Sequence, residues 1–538
     1  MTVAREADGA GAATSPADQG MLLAWWAARQ PDVPAVVSPS GQRSFKELNE
    51  RANQLARALR RLGLRAGDGV ALLCGNGPEF VEVAAACQRA GWRLTTVNWH
   101  LTAAEAGYIV DDCEAKALVA DAGFADTAGG AAATAPGCTV RLSVCGPIEG
   151  FLSYDRELAG ESNEDIEDPC LGSSMLYTSG TTGRPKGVYR SEPAPSAASL
   201  NLFGYRDDGN DRHLCTGPLY HAAPLAFSLT TPLSHGAGVV LMERWDAAEA
   251  LRLVEAQRIT HTHMVPTMFH RLLSLPSDVR EAHDTSSLRS VLHGAAPCPV
   301  PVKRRLIAWL GPIVWEYYAA TEGSACFVDS RTWLTHPGTV GKPADGQVLI
   351  GDETGVEVPP GSTGLVYIRA PKVGRFEYFK DPAKTTASYR GDYFTLGDIG
   401  HVDEEGYLYL TDRSADVIIS GGVNVYPAEI DAVLLEHPAV GDVAVIGEPD
   451  PEWGERVLAV VELQPGHDRS VELAAQLIEH CRTRLAGYKC PDRVDFVDEL
   501  PRQDNGKIYR RTLRDRYRAQ ARSKSSGGGQ AQTRWRSP

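Results

Sequence analysis

The sequence predicts an α/β protein: a large N-terminal domain of layered α/β subdomains plus a small β subdomain, followed by a small α+β C-terminal domain. Three observations carry this prediction. The chain has 538 residues, 43% of them hydrophobic, which is more than one ordinary core organises. Short β-rich runs alternate with helical stretches from about residue 45 to 345. The texture then changes twice, to short strands and Gly turns between roughly 347 and 412, and to a compact mixture of helices and strands after Arg413.

Residues 1–20 read as a disordered leader, because Arg5, Glu6 and Asp8 precede a Gly/Ala stretch and lack the basic-then-apolar order of a secretory signal. Residues 21–412 make the N-terminal domain. Within it Val70-Ala71-Leu72-Leu73-Cys74 is β-rich, Gly75-Asn76-Gly77-Pro78 is a turn, and Glu79 to Ala90 is helical, which is βα punctuation. Further units fall at Ala117 to Ala120, at Val239 to Met242 with a helix after Asp246, and at Ser290 to Leu292, so the sheets are expected to be substantially parallel. The longest apolar-leaning stretch without charge, Ala222 to Met242, contains Pro224, Ser228, Thr230, Thr231, Pro232, Ser234, His235 and Gly236. These would be costly in lipid, and the stretch is read as buried helix plus strand. Gly364-Leu365-Val366-Tyr367-Ile368-Arg369 typifies the β subdomain. Residues 413–520 make the C-terminal domain, with a helix near Ala428 to Glu436, strands near Val440 to Ile446 and Val457 to Leu463, and a helix from Val471 to Leu485. Residues 521–538, with Ser, Gly and Gln, are expected to be disordered.

A formal net charge of −14 argues for solubility and against a broad nucleic-acid-binding face, while leaving room for a local cationic pocket. The 11 cysteines show no Cys-x-x-Cys pair, so neither a zinc site nor a secreted disulfide framework is indicated, and a reducing, cytoplasmic setting is expected. Cys215 and Cys298 have no activating neighbour in sequence and read as packing residues.

The run Tyr177-Thr178-Ser179-Gly180-Thr181-Thr182-Gly183-Arg184-Pro185-Lys186-Gly187 carries the first chemistry. Glycines bring backbone N–H groups close to an anion, hydroxyls donate to phosphoryl oxygens, and Arg184 and Lys186 add opposite charge. A P-loop needs Gly-Lys followed by Ser or Thr, whereas here Pro185 precedes Lys186 and Gly187 follows it. Taken alone, a stray Gly-Thr-Thr-Gly is as readily a polar surface loop. Its partners downstream decide the matter: Pro218-Leu219-Tyr220-His221, Tyr317-Tyr318-Ala319-Ala320-Thr321-Glu322, Thr395-Leu396-Gly397-Asp398, Thr411-Asp412-Arg413 and Pro501-Arg502-Gln503-Asp504-Asn505-Gly506-Lys507 follow in that order.

In this order and spacing the motifs resemble the adenylate-forming superfamily, which includes acyl-CoA synthetases, peptide-synthetase adenylation domains and firefly luciferase, over about residues 20 to 515. The resemblance implies a free-standing acid–CoA ligase using ATP, Mg2+ and CoA. It implies that Thr178, Ser179, Gly180, Thr181, Thr182, Gly183 and Lys186 hold the β- and γ-phosphates, and that Lys507 bridges carboxylate and α-phosphate. Glu322 anchors Mg2+. The resemblance likewise places Tyr318 and the turn Gly294-Ala295-Ala296-Pro297 at adenine, Thr321 among the cofactor-binding residues, and Asp398 and Arg413 at the ribose. The C-terminal domain is implied to be mobile, pivoting at Arg413 to Asp416 and opening a pantetheine tunnel near Gly421 and Gly422, with Trp453 and Tyr488 beside the CoA adenine. Two positions depart from the family pattern: Ala415 stands at the usually charged pivot, and Cys490 at a position often basic.

The substrate positions are His221, Ala226, Phe227, Gly294, Ala295, Tyr317, Ala319 and Ala320, nearly all uncharged, which favours a hydrophobic acid of fatty, aryl or terpenoid type. The stretch Tyr220-His221-Ala222-Ala223 lacks the Asp that amino-acid-activating relatives carry. An acyl carrier protein as acceptor, a luciferase-type oxidative enzyme and a non-catalytic nucleotide binder are the alternatives. No nucleic acid and no stable membrane insertion are expected, and the oligomeric state is left open. Lys507→Ala is expected to abolish carboxylate-dependent pyrophosphate release while leaving thioesterification of a supplied acyl-adenylate largely intact. Equal loss of both half-reactions would contradict a C-terminal domain that presents different faces to the two steps.

Overall fold

The computed structural model describes residues 16, 19–178, 185–192, 201–206, 208–413, 416–420, 423–450, 453–502 and 508–526, with side chains at 412–413, 423–424 and 520–526 outside the description. Two sheets with parallel cores build the larger domain. In the first, strands Arg93–Thr96, Gly69–Leu73, Ala115–Asp121 and Val140–Val144 are neighbours, with the short strands Ser173–Ser174 and Leu152–Ser153 at its edges, and every pairing is parallel. In the second, the order is Gly323–Asp329, Val314–Ala320, Ser290–His293, His261–Met264, Arg212–Cys215, Gly238–Leu241, Pro34–Ser38, Gly41–Ser44, parallel throughout except for its two edge strands. The central strands are buried along their whole length and accordingly read as apolar runs rather than alternating ones.

Helices Phe45–Arg61 and Pro78–Ala90 lie between the sheets. Ser44 and Glu47 close the first in a reciprocal capping box. Pro78 opens the second at its first turn, and Gly91, at φ 74°, ends it in the left-handed conformation. Phe45, Leu48, Leu55 and Phe80 join Val36, Val70, Leu72 and Val239 in one apolar cluster, so a single core serves both sheets. The helix carries a buried carboxylate, Glu82, which accepts from Arg43 Nε (2.9 Å), Arg51 Nε (3.1 Å) and the Tyr154 hydroxyl (2.8 Å). A buried charge is tolerated only when paired in this way.

The turn Gly75-Asn76-Gly77 ties the sheets together at their carboxyl ends. Asn76 Nδ2 donates to the carbonyls of Gly217 and Met242, each at 3.0 Å, and its Oδ1 accepts from the Leu219 N–H at 2.9 Å. Thr96 Oγ1 adds a bond to the Tyr220 carbonyl at 2.8 Å. The segment Gly217 to Tyr220 is therefore held from the other sheet.

The expected helix after Ala222 is a π-helix, Pro224–Thr230, followed by one α-turn, Thr231–Ser234. The Thr230 and Thr231 hydroxyls reach back five residues to the carbonyls of Leu225 (3.0 Å) and Ala226 (2.8 Å), helping to hold the widened turn. An antiparallel sheet from Thr339–Gly341 to Leu408–Arg413 forms the β subdomain. The C-terminal domain packs helices Pro427–Leu434, Val471–Arg482 and Arg510–Ser526 around strands Ile418–Ser420, Val423–Val425, Val440–Asp450, Gly454–Leu463 and Arg493–Val497.

The described residues at both ends are packed against the body of the protein. At the N-terminus the chain is packed by Gly20, where a Cβ would meet the Gln88 carbonyl oxygen at 2.0 Å, and Met21 N–H bonds Pro16 O at 2.8 Å. At the C-terminus the last helix continues through Ser526, into the segment expected to be disordered. Arg, Ala, Gln and Lys favour helix there, and Leu513 and Tyr517, four residues apart, anchor it against Ala444 and Ile446. No helix among the described residues is long and apolar enough to cross a membrane. Asn76→Ala is expected to lower stability by about 2–4 kcal/mol, since it strands the Met242 carbonyl and the Leu219 N–H and leaves the Gly217 carbonyl only the Cys215 thiol. Chemical denaturation measures this, and a loss below about 0.5 kcal/mol would contradict the role given to the turn.

Candidate active site

In the second sheet the chain lays strand Arg212–Cys215 first and then adds Gly238–Leu241 on one side and His261–Met264 on the other. The connections leaving the carboxyl ends diverge at this reversal of order, which opens a crevice. A cavity of about 2100 Å³ fills it, lined by Thr216, Gly217 and Pro218 after one strand, Met264 and Val265 at the end of another, and Ala295, Ala319 and Ala320 further along. From the C-terminal domain, Arg502, Ile508, Tyr509, Arg511 and Arg514 close it. Arg502 Nη1 donates to Thr267 Oγ1 at 3.1 Å across the two domains.

One end of the cavity is walled by flat rings. Phe227 from the π-helix, His263 and Tyr317 all line it. Phe227 lies 4.7 Å from Tyr317 and 5.8 Å from His263 between centroids. His263 Nε2 and the Tyr317 hydroxyl share a hydrogen bond of 3.0 Å. Burial pushes His263 down to about 4, so the imidazole is neutral at pH 7, and burial likewise pushes the Tyr317 hydroxyl up. Gly294 allows this arrangement, because a Cβ there would sit 2.5 Å from the Tyr317 ring. His221, Ala226, Ala319 and Ala320 complete the wall.

The phosphate-loop strands meet as an antiparallel pair, with Lys186 opposite Thr178 in register. Both line the cavity, and Glu377–Tyr378 extends the ribbon on the other side of Val188–Tyr189. Glu322, only 7% exposed, accepts from the Tyr378 hydroxyl at 2.9 Å through Oε1. Arg190 Nη2 fixes the same segment by donating to the carbonyls of Thr321 (2.9 Å) and Glu322 (2.8 Å). Lys186 is pushed down to about 8, first by burial and then by the neighbouring Lys384 ammonium, with Asp381 acting the other way.

Tyr318 points to the opposite face of its strand from Tyr317. It is buried in the core of the β subdomain, and its hydroxyl donates to Asp398 Oδ2 at 2.7 Å. Neither Tyr318 nor Asp398 is among the residues lining the cavity, and nor are Gly294 and Ala296, whereas Ala295, Thr321, Thr395 and Leu396 are. Ala295 takes φ 67°, a left-handed conformation unusual for a residue with a Cβ and of the kind that clusters at ligand sites.

Ser179, Gly180, Thr181, Thr182, Gly183, Ala415, Gly421, Gly422 and Lys507 lie outside the described residues, as does the Arg413 side chain. Arg502 and Ile508, which flank the Lys507 segment in sequence, line the cavity and pair as an antiparallel bridge. Asp416, one residue past Ala415, is held by Arg514 at 3.0 Å. Trp453 (48% exposed) and Tyr488 (55% exposed) stand on the surface of the C-terminal domain, away from the cavity. Cys490 is buried within that domain's own core.

Sequence reasoning missed His263, Arg190, Tyr378 and Lys384. The repeat His261-Thr262-His263, two polar residues on one face of a central strand, was the available signal for the first. The other three become neighbours of Glu322 and Lys186 only through the ribbon pairing, and no local pattern announces them.

A family profile described as AMP-binding enzyme matches residues 23–376, and one described as AMP-binding enzyme C-terminal domain matches residues 429–507. An indoleacetate–CoA ligase of Aromatoleum aromaticum is 33% identical over 507 residues, spanning 92% of this chain and 98% of its own length. A feruloyl-CoA synthase of Amycolatopsis sp is 34% identical over 478 residues, spanning 88% of this chain and 94% of its own. Among solved structures, the anthranilate CoA ligase AuaEII in complex with anthranoyl-AMP matches with a TM-score of 0.85 at 27% identity, over 94% of this chain and 98% of that one. ATP-bound MatB from Rhodopseudomonas palustris matches with a TM-score of 0.80 at 31% identity, over 93% and 99%.

The depressed Lys186 gives a signed pH dependence. A bound polyphosphate favours the charged ammonium, so affinity is constant below about pH 8 and falls as pH rises past the free-state value of about 8. Equilibrium binding of ATP between about pH 7 and 9.5 tests this, and Lys186→Arg, charged throughout the range, is expected to remove the inflection.

Proposed function

Because the chain belongs to the AMP-binding enzyme family, we propose that it activates a hydrophobic carboxylic acid with ATP and transfers the acyl group to CoA. The observation that carries this reading is the continuity of one cavity, which joins an uncharged, ring-walled pocket to Lys186 and Glu322 and is closed by the C-terminal residues on either side of Lys507.

A carboxylate oxygen attacks the α-phosphorus of ATP, the bond to the β-bridging oxygen breaks, and pyrophosphate leaves. Two like unit charges about 4 Å apart repel by about 4 kcal/mol at an effective dielectric constant near 20, so cations must offset their approach. Lys186 faces the outer phosphates, and Lys507 supplies the second ammonium, between carboxylate and α-phosphate. Glu322 suits Mg2+: it is a single, largely buried carboxylate, and no cluster of three or more metal-ligating side chains occurs among the described residues. Mg2+ held by one carboxylate, phosphate oxygens and waters needs no such cluster, and it would neutralise charge on the outer phosphates. Arg190 orients Glu322 through its backbone, and Tyr378 orients its side chain. In the second half-reaction the CoA thiolate attacks the acyl carbonyl and the bond to AMP breaks. By the family resemblance the Gly421-Gly422 loop, Trp453 and Tyr488 are assigned to the CoA side and Arg413, Tyr318 and Asp398 to the nucleoside, although Tyr318 and Asp398 bond to each other off the cavity lining.

An aryl acid is the substrate class favoured here. Phe227, His263 and Tyr317 present flat faces and one neutral polar pair, which suit a ring better than a flexible chain. The indoleacetate, ferulate and anthranilate ligases among the similar proteins support the same choice. A cytoplasmic location belongs to this reading and is supported by eleven free cysteines.

Incubation with ATP, Mg2+ and CoA across benzoate, hydroxybenzoate, arylacetate, cinnamate and alkanoate panels tests the proposal by thioester mass. Acyl-CoA, AMP and pyrophosphate are expected in equal amounts. The best aryl acid should exceed an alkanoate of equal carbon number by about tenfold or more in kcat/KM. No thioester from any acid would overturn the reading, and transfer to a pantetheinylated carrier but not to CoA would change the acceptor.

A further inference from the structure

We infer that Lys384 is a second cationic ligand for the outer phosphates, paired with Lys186 beside the ring of Tyr378. This rests on the AMP-forming reading above and extends it to a residue outside every motif in the sequence.

Lys384 lies on the short helix Pro382–Ser388, whose first turn is fixed by Asp381 accepting from the Lys384 N–H at 2.9 Å. Its ammonium is 5.2 Å from the Tyr378 ring centroid, and that of Lys186 is 5.8 Å from the same centroid. Both side chains line the cavity. Asp381, which caps the helix, is the carboxylate whose field reaches Lys186, and it only partly offsets the neighbouring ammonium. Two like charges brought together in a partly desolvated wall, only partly offset by Asp381, raise the energy of the empty site. The polyanionic β,γ-diphosphate of ATP offsets that cost.

The placement selects the phosphates concerned. Tyr378 hydrogen-bonds Glu322, so the two ammoniums and the carboxylate surround one corner of the cavity. Ala295, after strand Ser290–His293, and Thr395, within strand Tyr393–Val402, also border the cavity. Lys384, beside Lys186 and Glu322, is assigned to the part of ATP that leaves as pyrophosphate, with little hold on AMP.

Equilibrium binding of ATP, inorganic pyrophosphate and AMP to the full chain, without any carboxylic acid, separates this role from a structural one. Lys384→Ala is expected to weaken ATP and pyrophosphate by about 10- to 100-fold, the loss of one charge-assisted hydrogen bond, and to change AMP affinity by less than about twofold. Lys384→Arg should restore most of the ATP affinity, and the thermal midpoint should stay within a few degrees in both variants. Equal weakening of ATP and AMP, or unchanged ATP affinity in Lys384→Ala, would overturn the assignment. A wild-type protein that binds neither ATP nor AMP would overturn the AMP-forming reading as well, whereas wild-type adenylate formation with Lys384→Ala unimpaired would leave that reading standing and remove only Lys384.

Discussion

The buried side chain of Asn76 is the interaction on which the site depends. It sits in a turn of one sheet and satisfies three backbone groups of the other, two after strand Arg212–Cys215 and one after Gly238–Leu241. Those groups border the place where strand order reverses, so the same bonds that lock two layers together also shape the crevice between diverging connections. An apolar residue there would leave the Leu219 N–H and the Met242 carbonyl without their partner and loosen the segment that leads into the ring wall. Thr96 reinforces the link from the neighbouring strand.

The strand Val314–Ala320 then divides the chemistry between its two faces. Alternation sends Tyr317 into the ring-walled pocket with Phe227 and His263, and Tyr318 into the β subdomain beside Asp398. Just beyond its end, Glu322 turns toward the cationic corner. A neutral compartment and a charged one thus meet within a few residues. Burial keeps His263 uncharged, which preserves the low polarity a hydrophobic acid requires, while Lys186 and Lys384 concentrate positive charge where phosphate belongs. A net charge of −14 over the whole chain is no obstacle, because these fields are local.

Much of this was legible before the fold was seen. Gly75-Asn76-Gly77-Pro78 read as a turn between strand and helix, and the motif from Tyr317 to Glu322 carried both the pocket ring and the carboxylate. The second role of that turn, binding the other sheet, was not legible, because Asn76 meets Gly217 across 141 residues. The π-helix was missed since its widened turn is held by threonine hydroxyls five residues on, a pattern that hydrophobic periodicity does not encode. Lys384 and Tyr378 were missed for a similar reason: they reach Glu322 and Lys186 by strand pairing, and a Lys after Asp-Pro-Ala reads as surface. The last helix has no counterpart among the elements expected from the sequence, because its Arg-rich run carries few apolar residues to mark a period, although Arg, Ala and Lys favour helix.

The central claim is that acid and nucleotide react directly, through a carboxylate oxygen joined to the α-phosphorus. Supplying the preferred acid with both carboxylate oxygens replaced by 18O, together with ATP and CoA, and measuring the mass of the AMP product tests it. The account predicts one 18O atom in the phosphoryl group of AMP and one retained in the thioester. AMP without label, formed alongside a thioester, would contradict an acyl-adenylate route and with it the reading of the cavity.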